Sequence, residues 1–287
     1  MAKSKTIEDR LKTNKQVISL SKKYPRTVSF LLKRVDHDTE FGLYLTMGTI
    51  ISFGLLLVFL ELLQDVVYKD PIVQADAWIL NIVELFRSQN LDHIMLFFTY
   101  MGSWEAILVG TIFVSMVLYV LNRKRYLMTL LFSVVAGQLI IMALKTIVSR
   151  PRPTSVSPIV FENSFSFPSG HAFVVFSFFG LTAYFIYKHL RLSWQRVLIV
   201  VAMTLLVVII SFSRVYLGVH WPTDVLASYA AGGAWLTAMI TSLEIREKRR
   251  QEKIEPYLND TIVTIVCFGL FVLWTGYVFV VSQFLIS

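Results

Sequence analysis

Three short polar segments carry the residues that could do chemistry. Lys145 is followed, six residues on, by Arg152-Pro153; Pro168-Ser169-Gly170-His171 comes next; Ser213-Arg214 is followed by five residues, His220, three more, and Asp224. Within about eighty residues of a largely apolar sequence they gather cations, two histidines and a carboxylate. That set matches the needs of phosphoryl transfer, which depends on a positioned nucleophile and on charge stabilisation around the equatorial oxygens.

Each segment has its own logic. Ser169 stands where a helix N-cap belongs, ahead of a long apolar run. Gly170 lets the backbone approach a ligand closely, and the N–H groups of a helix start form an anion site. His171 adds a titratable group there and suits the role of proton donor to the leaving oxygen. Lys145, Arg152 and Arg214 suit a phosphate clamp, the arginines bidentate and the lysine as a point charge. Pro222 fits the first position of a new helix, with His220 just before it and Asp224 in its first turn. A carboxylate at that spacing can orient one imidazole nitrogen and leave the other nucleophilic. Taken singly, each feature has a plainer reading: a helix cap, cations reaching to headgroups, a structural His–Asp pair. Arg150 keeps that plainer reading, as an interfacial anchor, and His37, His93 and His189 read as solvated or interfacial. No cluster of carboxylates offers a magnesium site, and the cations around the two histidines disfavour zinc, so no metal or other cofactor is expected.

The elements that must position these groups are membrane helices. The chain has 287 residues, 55% of them hydrophobic and only 16% charged, below the usual charged quarter of a soluble domain. Seven blocks approach the roughly 20 apolar residues of a spanning helix: 43–64, 103–121, 126–147, 171–188, 196–212, 223–243 and 261–285. With the N-terminus inside, 21 of the 27 Lys and Arg residues fall on the inner side and six outside, as the positive-inside rule requires. Four of the six outer cations belong to the polar segments or flank them, which places the candidate site at the outer face. The net charge of +8 follows from this topology, and nucleic-acid binding is not expected. The basic stretch 7–35 reads as an interfacial helix pair or a loosely ordered tail. In the long outer connection 65–102, the stretch 77–86 suits a short surface helix, either a lipid entrance or a lid. Cys267, the sole cysteine, reads as a small buried hydrophobe.

On Lys145-x6-Arg152-Pro153, Pro168-Ser169-Gly170-His171 and Ser213-Arg214-x5-His220-x3-Asp224, the sequence resembles the type 2 phosphatidic acid phosphatase (PAP2) family. Soluble vanadium haloperoxidases have a similar site, but seven apolar blocks disfavour that branch. The resemblance covers roughly 43–243. It implies an all-α polytopic membrane bundle with a six-helix core over 43–243; the charge and apolar pattern adds, outside that family core, a cytoplasmic tail over 1–42, a basic cytoplasmic linker over 244–260 and a seventh transmembrane helix within 261–287. It further implies metal-independent hydrolysis through a phosphohistidine at His220, with His171 as general acid, Asp224 orienting the nucleophile, and Lys145, Arg152, Ser169, Gly170 and Arg214 around the phosphate. The substrate expected is a lipid phosphate or prenyl diphosphate in the bilayer. Undecaprenyl diphosphate is expected first, with phosphatidylglycerophosphate and phosphatidic acid as alternatives; a non-catalytic lipid transporter or scaffold on the same fold is disfavoured by the intact His171, His220 and Asp224.

Overall fold

The computed structural model describes residues 14–35, 42–68, 71–154, 160, 162–249, 269 and 272–282; among these it contains helices and loops and no strand. The helices are α1 (Lys15–Lys23), α2 (Pro25–Val35), α3 (Leu43–Tyr68), α4 (Pro71–Leu85), α5 (Gln89–Met101), α6 (Trp104–Val120), α7 (Lys124–Val148), α8 (Gly170–His189), α9 (Ser193–Tyr216) and α10 (Pro222–Arg249), with a C-terminal α11 over Val272–Ser282. The all-α reading holds. Cys267 and His37 lie outside the described residues, as does most of 261–285.

Among the described residues four helices, α3, α7, α8 and α9, are long and apolar enough to cross a membrane, and α5 with α6 makes a fifth if that pair is one broken span. The α10 helix covers the expected span 223–243, but its Thr, Ser and Gly content keeps it outside that group. The connection 65–102, in which a short helix was expected over 77–86, holds more helix than that. The α3 helix runs on to Tyr68, α4 begins at Pro71 rather than near residue 77, and α5 occupies Gln89–Met101. Periodicity missed this because α4 and α5 mix charged residues into apolar faces.

Chain contacts divide the protein into two units: residues 1–53 with 237–253, and 54–236 with 254–287. In the first, Asn14 caps α1 by accepting from the Gln16 N–H at 2.9 Å, and α1 packs on α2. This pair exposes Ile18, Leu20, Tyr24 and Phe30. Tyr44, Met47, Ile240 and Thr241 help line a groove of about 300 Å³ in the same unit.

The second unit is built around α8, half of whose apolar window is buried. It packs against α9, α7 and α6, while α9 also packs against α5 and α4. Between α5 and α6 the chain bends by 50°. Gly102 ends α5, and Ser103 starts α6 by accepting from the Ala106 N–H at 3.2 Å. A Cβ at Gly102 would stand 2.7 Å from Ile210 Cγ2 and 3.2 Å from His171 Cδ2. The bend therefore needs glycine, because α8 and α9 press into its inner side.

The α11 helix is anchored on this unit by Trp274. Its indole N–H donates to the Ala106 carbonyl at 2.8 Å, and its ring meets Phe179 edge-on at 5.7 Å. Trp274 and Val278 are both buried. Trp274→Ala removes this packing and is expected to destabilise the protein by about 3 kcal/mol. Thermal unfolding in detergent checks this; an unchanged midpoint would show that the helix contributes no stability.

Candidate active site

The site is assembled at one end of the second unit, from the end of α7, the start of α8, the end of α9 and the start of α10. Local backbone chemistry explains each placement. The α7 helix closes with Ser149 in a left-handed conformation, φ 51°, its N–H donating to the Lys145 carbonyl at 2.9 Å. This turns the chain away just after Lys145, whose Nζ donates to the Phe165 carbonyl. Ser169 caps α8, as its position before the apolar run predicted, through a long 3.5 Å bond from the Ala172 N–H. Gly170 opens the helix with its Cα face near the stem of Lys145.

The spacing of the third segment follows from two helix ends. Beyond α9, Gly218 takes φ 73°, and the N–H groups of Val219 and His220 both return to the Arg214 carbonyl at 3.2 Å. This is a C-terminal capping turn, with glycine where the left-handed residue is needed. It fixes His220 directly beyond Arg214. Pro222 then opens α10, and Asp224 reaches back to accept the Trp221 N–H at 3.0 Å, in the manner of a capping box. The same carboxylate meets His220 Nδ1 at 3.3 Å. Four residues is therefore the separation at which one carboxylate can both cap the helix and hold the ring.

The tautomer of His220 follows from its partners. Arg152 Nη1 lies 3.4 Å from His220 Nε2, and a guanidinium has no acceptor. Nε2 is thus the bare nitrogen and Nδ1 carries the proton donated to Asp224. His220 is buried, and burial holds its pKa well below the ordinary 6.5, with Arg214, Arg152 and Lys145 pushing in the same direction. The ring is neutral, with its free lone pair on the side of the cations. His171 is partly exposed and within electrostatic reach of Arg214, His220, Lys145 and Arg152.

Of the three cations expected around a phosphate, Arg152 and Arg214 converge on a carboxylate. Glu162 joins Arg214 through Oε1 and Arg152 through Oε2, the latter at 3.2 Å. Arg214 is buried and also donates to Thr99 Oγ1 at 2.6 Å, while its Nε–H has no hydrogen-bond partner among the described residues. Arg152 donates to the Ser164 carbonyl at 2.7 Å and to Val219 O at 2.5 Å. Burial lowers its pKa, against the opposing pull of Glu162 and Asp224. Among the described residues, no group of three or more His, Cys, Asp and Glu side chains is set to hold a metal ion.

Two readings need correction. Arg150 is no headgroup anchor. It is buried between two carboxylates, with Nη2 2.7 Å from Asp76 Oδ2 and Nη1 2.6 Å from Asp224 Oδ1, and it lies over the Trp221 ring at 5.3 Å. His189 is not solvated either: it is buried, its Nδ1 2.7 Å from the Phe185 carbonyl. His93 is exposed, as expected. Sequence reasoning also passed over Asp76, Glu162 and Ser166, whose N–H and hydroxyl both reach the Arg150 carbonyl. Glu162 carried a signal, as the one acidic residue between 149 and 169. Asp76 carried another, a carboxylate among Ala75, Ala77 and Trp78.

Helices of membrane-spanning length thus bring an oriented histidine, a second histidine and two arginines closed on a carboxylate to one bundle end. The combination defines a class of membrane-embedded phosphate-handling proteins. A model of the PAP2 superfamily matches residues 126–248. Phosphatidylglycerophosphatase B of Bacillus subtilis (strain 168) is 31% identical over 201 residues, which span 69% of this chain and 97% of that protein. Undecaprenyl-diphosphatase of Sulfolobus acidocaldarius is 29% identical over 189 residues, 62% of this chain and 84% of that one. The crystal structure of the PAP2-type phosphatidylglycerolphosphate phosphatase from Bacillus subtilis superposes with a TM-score of 0.62 at 28% identity, over 72% of this chain and 98% of that one. The chain belongs to the PAP2 superfamily, and it is a phosphoric ester hydrolase of the membrane.

The His220 geometry yields a pH prediction. A histidine whose folded pKa lies below its unfolded value contributes full stability above about 6.5 and loses it as the pH falls further. Nitrogen NMR of ¹⁵N-histidine-labelled protein should show His220 as the Nδ1–H tautomer, still neutral at pH 6. A cationic ring at that pH would overturn the assignment.

Proposed function

We propose that the protein hydrolyses a lipid phosphate or prenyl diphosphate at the outer face of the membrane, through a phosphohistidine on His220. The observation that carries this reading is the Glu162 carboxylate held between Arg152 and Arg214. An anion is bound where two guanidinium groups converge beside the bare Nε2 of His220. A substrate phosphate fits the same donors and would also meet the Nε–H of Arg214, which has no partner among the described residues.

The steps follow from the groups present. The Nε2 lone pair attacks phosphorus, the bond to the leaving oxygen breaks, and His171 delivers the proton that oxygen needs. Asp224 holds the imidazole and balances its positive charge once phosphorylated. Water then attacks the phosphohistidine, the N–P bond breaks, and His171 takes the water proton as inorganic phosphate forms. Lys145, Arg152, Arg214, Ser169 and the Gly170 N–H hold the equatorial oxygens throughout, which is where such catalysis gains most.

For the substrate, the charge distribution supports an outward site, and undecaprenyl diphosphate is a lipid whose phosphate would be removed there. A second reading is phosphatidylglycerophosphate, favoured by the near-complete coverage of the Bacillus subtilis relative. We assign residues 1–42 to a cytoplasmic tail, 43–243 to the catalytic core, 244–260 to a cytoplasmic linker and 261–287 to a further transmembrane helix.

Purified protein should release phosphate with or without EDTA, and His220→Ala should abolish release. Arg214→Ala should lower kcat about 100-fold, the scale of losing one oxyanion donor. Activity surviving His220→Ala would sink the nucleophile, and loss to EDTA restored by magnesium would sink the metal-free route. Rates on undecaprenyl diphosphate against phosphatidylglycerophosphate decide between the two lipids. In intact cells, a membrane-impermeant thiol reagent should label a cysteine placed at Ser164 but not one at Lys124. The reverse pattern would invert the topology.

A further inference from the structure

We propose that Asp76, on helix α4 and outside all three polar segments, is a positioning residue for the nucleophile, acting through Arg150 and the first turn of α10. This rests on His220 as the nucleophile. Asp76 is a fully buried carboxylate, which is costly unless every oxygen is paired. Its Oδ1 accepts the Thr223 N–H at 2.9 Å, and its Oδ2 accepts the Thr223 hydroxyl at 2.5 Å and Arg150 Nη2 at 2.7 Å. Arg150 Nη1 in turn meets Thr223 Oγ1 at 2.8 Å and Asp224 Oδ1 at 2.6 Å. Asp224 Oδ2 completes the chain at His220 Nδ1.

Two effects follow. The first is geometric. Thr223 is the second residue of α10, and its N–H is one of the helix-start donors without an internal partner. Asp76 caps it from another helix and so fixes the rotation of the turn that carries Asp224. The second is electrostatic. Arg150 divides its charge between two carboxylates, so Asp224 keeps more of its own charge for the imidazole. Without Asp76, Arg150 would pair with Asp224 alone, and the imidazole would be held less firmly just when phosphorylation makes it positive. The groups facing His220 are Lys145 from α7, Arg152 from the following loop, His171 from α8, Arg214 from α9 and Asp224 from α10. Neutralising Asp76 therefore makes a mostly cationic surround more so.

The test uses the full-length protein in detergent, with farnesyl diphosphate and dioleoyl phosphatidic acid as probes. Asp76→Asn should lower kcat about 10- to 100-fold while KM changes less than about threefold, as expected when an interaction acts mainly in the transition state. The acid limb of kcat/KM should move down by roughly half a pH unit, because a nearby negative charge has gone. Asp76→Glu should restore part of the rate. Thr223→Val removes the hydroxyl that joins Asp76 to Arg150 and leaves both charges; it should lower kcat about threefold or more with KM little changed. It decides the matter if Asp76→Asn cannot be purified. Wild-type kcat in Asp76→Asn, or in Thr223→Val when it alone can be measured, overturns the proposal, as does a rate loss with the acid limb unmoved. His220→Asn separates the two levels. Turnover in that variant removes the nucleophile itself, whereas an inactive His220→Asn beside a fully active Asp76→Asn removes only the role of Asp76.

Discussion

The site depends on the pairing of buried charge. Arg150 and Arg214 are buried, and Lys145 and Arg152 lie partly exposed beside them, in a protein whose surroundings are lipid and apolar side chains. Unpaired, such cations would be expelled or discharged. Three carboxylates, Asp76, Asp224 and Glu162, take up the arginines, and backbone carbonyls at Phe165, Ser164 and Val219 accept from Lys145 and Arg152. The loop between α7 and α8 follows from this arrangement. It passes close enough for its carbonyls to face the cations, and Ser166 ties it back to Arg150.

The carboxylates divide into two sets with different surroundings. Asp76 and Asp224 are wholly buried on the side of His220 Nδ1. Glu162 is partly exposed and lies with the arginines on the Nε2 side. One side of the imidazole is thus fixed by protein and the other faces groups that an incoming anion can engage. The backbone does much of the fixing. The capping turn at Gly218 and the proline start of α10 hold His220 between two helix ends, so its orientation does not depend on side chains alone.

Much of the site was legible because its residues sit at helix ends, where sequence has local rules. Ser169 before an apolar run, Pro222 at a helix start and Asp224 in the first turn could be placed from spacing alone, and the structure puts them there. The long apolar blocks of α3, α7, α8 and α9 were equally plain. Arg150 and Asp76 were not, because their partnership spans 74 residues and no local pattern encodes it. Arg150 differs from Arg152 only in which way the chain turns after Ser149. The extent of α4 and α5 was misjudged for a related reason: α4 buries a carboxylate, so its pattern departs from a simple apolar stripe. The kink at Gly102 was hidden because only α8 and α9, far along the chain, make it necessary.

On the proposed mechanism, the bridge at Glu162 has a consequence for the end of a catalytic cycle. Inorganic phosphate leaving this site need not strip two guanidinium groups bare, because a tethered carboxylate stands ready to replace it. Release then becomes an exchange of one anion for another, with the site near electroneutral before and after. Because the replacement is covalently attached, its effective concentration is high whatever the phosphate level of the surroundings. On that mechanism the empty enzyme would discriminate against weakly held anions, admitting those whose additional contacts, such as a lipid tail in the bilayer, outweigh the residue already in place.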